Sequence, residues 1–128
     1  MLIALAVYNA ALVMRPTDEV EGESSPFFFT MPLLSGARIE VGWDATMLAG
    51  GLILLFLEIL KSTRSSRLST LEHILSVLVF ILFLVEFLII PAAGTTVFAL
   101  LAMMSLIDVM AGYAISISAA RRDLSIGG

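Results

Sequence analysis

Cysteine is absent from this chain. Its absence excludes disulfides, thiolate nucleophiles, iron–sulfur clusters and cysteine-ligated zinc together. Histidine is nearly absent: His73 stands alone, so neither a zinc site nor a bis-histidine haem site can be assembled within one copy. Charge is scarce too, at 14% of 128 residues, where a soluble domain carries about 25%. Seven basic residues face eleven acidic ones, for a net charge of −4. The basic face that a nucleic-acid partner demands is therefore missing. No glycine-rich loop is available to cradle a phosphate, because Gly50-Gly51 falls inside an apolar run and reads as helix packing. No histidine lies at a spacing that argues for a catalytic triad. Catalytic residues, metal ligands and cofactors are accordingly expected to be none, and the chain is read as non-enzymatic.

What is present is apolar. Hydrophobic residues make up 59% of the chain, and the mean hydropathy is +1.05. They fall in long blocks, not alternating stripes, so water is the wrong solvent for most of the sequence. A helix crosses the roughly 30 Å of bilayer hydrocarbon with about 17–25 apolar residues. Three blocks meet that need with a single acid each: Ala45–Leu60 with Glu58, Ile74–Ile90 with Glu86, and Val97–Ala120 with Asp108. A fourth, Leu2–Met14, is uncharged but reaches only about 20 Å at about 1.5 Å per residue. It is expected to be a short or tilted first span, with Arg15 at its end and Pro16 stopping it. The alternative, a signal peptide, has no Lys or Arg before the run and no small-x-small site after it.

The expected architecture is an all-α membrane protein, a single four-transmembrane-helix bundle. Its spans are about 2–15, 44–61, 73–90 and 96–120, with an outer loop at 16–43. Lys61, Arg64 and Arg67 lie between spans two and three, and Arg121 and Arg122 follow span four. The first connection sets Arg15 and Arg38 against Asp18, Glu19, Glu21, Glu23, Glu40 and Asp44. The positive-inside rule then puts both termini in the cytoplasm and the 16–43 loop outside. The expected location is a bacterial inner membrane.

The connections carry local signals. Pro91-Ala92-Ala93-Gly94 breaks the helix, and Thr95 or Thr96 can cap the next one, which makes spans three and four an antiparallel hairpin. Ser69 and Glu72 read as a capping box. In the outer connection, Pro16–Ser25 is acidic and polar. Phe27–Met31 and Ala37–Trp43 flank Leu34-Ser35-Gly36, and Ile39, Val41 and Trp43 alternate with Arg38, Glu40 and Gly42. That pattern suggests a short extracytoplasmic hairpin with an apolar face on the bundle or at the headgroups; an irregular interfacial loop is the alternative. Pro32 confines the first strand to an edge.

An ionisable group in hydrocarbon marks a candidate functional site. Asp108, near the middle of its span, must find a hydrogen-bond donor, a cation, water or a proton of its own. Glu86 sits in the outer part of span three, and Glu58 lies one turn from Lys61, close enough for a local ion pair. Asp108, Gly112, Ser116 and Ala120 recur every four residues, a small-residue stripe that lets another backbone approach. Asp44, Gly51 and Glu58 are seven apart on span two, and Ser76 shares a face of span three with Glu86. Asp108, Glu86 and Glu58 thus form the candidate polar or ion site, with Gly112, Ser116 and Gly51 as packing residues. Asn9 and Tyr8 in span one can donate to a buried carboxylate.

Four spans in a short chain resemble the small multidrug resistance transporters in size. Those place an essential carboxylate in the first helix, where this chain has Asn9. The likeness is one of architecture, as is that to the small four-helix subunits of multi-component bacterial transporters. The expected role is a structural, assembly or accessory subunit that acts through helix packing or oligomerisation. Its expected partners are the lipid bilayer and either other membrane subunits or a second copy. The competing role is a small proton- or cation-coupled transporter or channel using the intramembrane acids. A dry Asp108 with one donor favours the first role; a wet site with two acids favours the second.

Overall fold

The structure is a computed structural model and describes residues 1–14, 29–63 and 69–126. It is mostly helical. In chain order it contains α1 (Leu2–Met14), β1 (Phe29–Pro32), β2 (Arg38–Val41), α2 (Trp43–Ser62), α3 (Ser69–Ile89) and α4 (Thr96–Ile126). Three of the four helices, α2, α3 and α4, are long and apolar enough to cross a membrane, and α1 is a shorter apolar helix. The burial pattern matches that composition. At most 22% of the apolar window of any long helix is buried inside the protein. Leu52, Ile53, Phe56, Leu82 and Met110 instead point outward. In water such a surface would be one continuous apolar patch; in lipid it is ordinary.

The interior is narrow and follows one face of α4. Phe98, Leu101 and Ser105 are fully buried, Asp108 is nearly so, and their three- and four-residue spacing keeps them on one side of the helix. Phe83 of α3 and Tyr8 of α1 close on Phe98, with ring centroids at 5.3 Å and 4.9 Å. Thus α4 packs against both α2 and α3, while α1 lies mainly along α2.

The ends of the helices follow from local chemistry. Ile90 precedes proline and is extended (φ −99°, ψ 110°), which stops α3 at Ile89. Pro91–Ala93 forms a 3₁₀ turn, and the Thr95 hydroxyl accepts the Phe98 amide at 3.1 Å, capping α4. α4 then runs to Ile126, past the expected end at Ala120. Ala119, Ala120, Arg121 and Arg122 favour helix, and the first glycine after them is Gly127.

Residues 29–41 form the antiparallel hairpin, with strands shorter than the flanks that suggested it. Phe29 pairs with Val41, Met31 with Ile39, and Pro32 with Arg38 at the end of the ladder. Gly36 supplies the positive φ of 83° that the connecting turn needs. Trp43 does not extend the strand; it begins α2. Nor does the ribbon lie on the bundle, since Phe29, Met31 and Ile39 remain 48–54% exposed. Arg15, Pro16–Ser25, Phe27, Phe28, Arg64 and Arg67 lie outside the described residues.

Candidate functional site

Two helix pairings build a polar cavity at the end of the bundle where α2 ends and α3 begins. The first is between α2 and α4, which run in the same direction. A Cβ placed on Gly51 would sit 2.5 Å from the Leu101 side chain. Seven residues further along both helices, Glu58 and Asp108 line the same cavity. This heptad spacing is the one at which parallel helices meet again. The second pairing is antiparallel, between α3 and α4 about the 91–95 turn. It sets Ser76 level with Asp108 and His73 level with Gly112, where an added Cβ would lie 3.0 Å from His73 Nδ1. The cavity between them has a volume of about 100 Å³, and Glu58, His73, Ser76, Asp108 and Ser116 contribute to its walls. That volume admits a few water molecules.

Asp108 is 4% exposed and Glu58 is half-buried. One Glu58 oxygen receives the Met1 ammonium group, and the other is buried with no hydrogen-bond partner among the described residues. Neither acid pairs with a Lys or Arg there. The expected local pair between Glu58 and Lys61 does not form. Lys61 reaches across to Glu72 of α3 at 2.7 Å, forming an exposed bridge at the cavity rim. Glu72 thus has its partner on α2, and the Ser69 side chain of the capping-box reading lies outside the described residues. No residue of α1 lines the cavity, because α1 starts beside Glu58 and runs away from it.

His73, which the sequence offers only as a lone histidine, is a cavity residue. It is half-buried, its ring lies 6.2 Å from that of Tyr113, and its Nδ1 is buried without a partner among the described residues. Counting back from the 91–95 turn brings it level with Gly112, and that count was the available signal. The cavity lining thus holds the carboxyls of Glu58 and Asp108, the His73 imidazole and serine hydroxyls, with the Lys61–Glu72 pair at its rim, a set able to exchange protons or hold a small cation with water. Among the described residues, no group of three or more His, Asp or Glu is placed to hold a metal ion.

Glu86 is not part of this site. Ser76, which is level with Asp108, lies ten residues earlier on α3, so Glu86 is about 15 Å further out. There it accepts a hydrogen bond from Asn9 Nδ2 at 2.8 Å. Nearby, Tyr8 and Thr95 share a hydrogen bond between hydroxyls at 2.6 Å. Both contacts pin α1 to the α3–α4 hairpin. Between the two levels lie the fully buried Phe83 and Leu101, with the buried Ser105 on the cavity side of them.

The small-residue stripe also divides. Gly51 admits Leu101 and Met104 of α4, whereas Gly112 admits His73 of α3. Ser116 is exposed and donates to the Gly112 carbonyl at 2.8 Å while bordering the cavity. The chain matches no protein family, and comparisons with curated proteins and with solved structures find no match.

Proposed function

We propose that this chain is a small polytopic membrane protein whose inner cavity exchanges a proton or a small cation at Glu58 and Asp108. α1 lies in the membrane beside the three longer helices. The basic residues Lys61 and Arg121 put the cavity end on the cytoplasmic side, and the ribbon side faces out. One observation carries the functional reading: a nearly buried aspartate and a second acid line one cavity large enough for water. Helix glue needs a single satisfied hydrogen bond. Two acids beside water, one held by the Met1 ammonium and neither by a Lys or Arg among the described residues, are a costly way to hold helices together. The apolar layer of Phe83, Phe98 and Leu101 lies between this cavity and the opposite end of the bundle, so the site loads from the cytoplasmic side and passage across the membrane requires that layer to part.

Purified protein in vesicles, with a pH-sensitive dye inside, tests the reading. Asp108→Asn and Glu58→Gln should each abolish proton exchange while circular dichroism keeps the helical signal. Equal exchange in wild type and both variants would sink it.

A second reading has its own support. Asn9–Glu86 and Tyr8–Thr95 are satisfied polar contacts between helices, as in an accessory or assembly subunit that works through packing. Under that reading, purification in mild detergent recovers a stoichiometric partner or a defined homo-oligomer, and Asp108→Asn leaves assembly unchanged.

The orientation has a separate test. Because the chain has no cysteine, single substitutions can be labelled without background. A membrane-impermeant thiol reagent added outside should reach Ser24→Cys and miss Ser65→Cys; the reverse would invert the topology.

A further inference from the structure

The β1–β2 ribbon carries a segregated surface that the helices do not use. Its register puts Phe29, Met31, Ile39 and Val41 on one face, and Thr30, Pro32, Arg38 and Glu40 on the other. Phe29, Met31 and Ile39 are each about half exposed, and Leu34 at the tip is fully exposed. A ribbon divided in this way suits a boundary between two solvents, apolar on one side and water on the other.

Position decides what lies on the apolar side. Gly42 alone separates Val41 from Trp43, the first residue of α2. A helix that starts at the edge of the hydrocarbon therefore holds the ribbon at that edge. Four residues extend about 13 Å at about 3.3 Å each, and the headgroup layer adds only about 5–8 Å on each side of the hydrocarbon. A ribbon standing upright would lift its apolar face into water. Lying flat, it continues the lipid-facing surface of α2, where Leu52, Ile53 and Phe56 are already exposed.

We propose that the ribbon is an interfacial anchor. Phe29, Met31, Ile39 and Val41 insert at the boundary between headgroups and acyl chains, while Arg38 and Glu40 face water. The occupant of the apolar face is lipid, and the proposal rests on the reading that α2 spans the bilayer. The anchor fixes the depth of the α2 start and closes the membrane end of the 16–43 segment.

Single-cysteine variants in phosphatidylcholine vesicles test it. Thr30→Cys, Met31→Cys, Ile39→Cys and Glu40→Cys are labelled with an environment-sensitive fluorophore and quenched with lipids brominated near the headgroup. Phe56→Cys with lipids brominated deep in the chain is the control for the span. The expected result is several-fold stronger quenching at positions 31 and 39 than at 30 and 40. Uniformly weak quenching on the ribbon with a quenched control overturns the anchor and leaves the span intact. An unquenched control overturns the span and the anchor with it. Disulfide formation between Met31→Cys copies, with weak lipid quenching, overturns the anchor in favour of a second copy as the occupant.

Discussion

Replacing Gly51 with alanine, beside the same change at Gly50, tests the α2–α4 contact that sets the site. A Cβ at position 51 would meet Leu101 Cδ2 at 2.5 Å and Met104 Sδ at 3.2 Å, whereas a Cβ at position 50 meets nothing within 4 Å. Leu101 is fully buried, so its methyl cannot swing aside without moving its neighbours. Overpacking of this kind costs about 1–3 kcal/mol. Both replacements remove the same glycine flexibility, worth roughly 0.8–1 kcal/mol in a helix. The shared effect cancels in the comparison. Gly51→Ala should therefore be less stable than Gly50→Ala by about 1–3 kcal/mol. Reversible unfolding in mixed micelles with increasing dodecyl sulfate, followed by circular dichroism, measures the difference. Because Glu58 and Asp108 lie one heptad beyond this contact, Gly51→Ala should also weaken proton exchange while Gly50→Ala leaves it intact. Equal stability of the two variants would refute the close approach, and with it the geometry that joins the two acids.

Other substitutions separate the remaining contacts. Asn9→Ala leaves Glu86 without its donor and should lower stability by roughly 0.6–2 kcal/mol in the same unfolding assay, while Glu86→Gln keeps an acceptor and changes less. Tyr8→Phe keeps the ring against Phe98 but loses the hydroxyl bond to Thr95, a loss of about 0.5–1.5 kcal/mol. Thr95→Ala loses that bond and the cap of α4 together, so it should cost about 1 kcal/mol more than Tyr8→Phe. Lys61→Gln breaks an exposed pair at the rim and should leave the unfolding midpoint unchanged at low and high salt.

The three long helices were legible because each is an uninterrupted apolar run, and the α3–α4 turn because proline and glycine interrupt the pattern. Alternation between residues 38 and 43 pointed to the ribbon, although Trp43 proved to open α2. The site was half legible. The heptad of Asp44, Gly51 and Glu58 and the stripe from Asp108 to Ser116 each mark a face of one helix. Neither says which helices run parallel, and that relation is what sets Glu58 against Asp108. The short hairpin between α3 and α4 drew Asp108 toward Glu86 instead. Counting outward from the turn removes that pairing, because residues level with each other must be equally distant from it. Lys61 could pair along its own helix or across to α3, and only the placement of α3 decides between Glu58 and Glu72. The position of α1 was the least accessible, since Tyr8 and Asn9 are the polar side chains among its 13 residues and the sequence does not name their partners.

Infrared difference spectroscopy on the reconstituted protein addresses the two acids most directly. Spectra are recorded as the pH on the cavity side is stepped, for wild type and Asp108→Asn. A carboxyl C=O band that responds to the step in wild type, and is lost or displaced in Asp108→Asn with the helical amide band unchanged, is the predicted result. A wild-type spectrum with no responding carboxyl band, or a response identical in the variant, would contradict an exchanging site at Glu58 and Asp108.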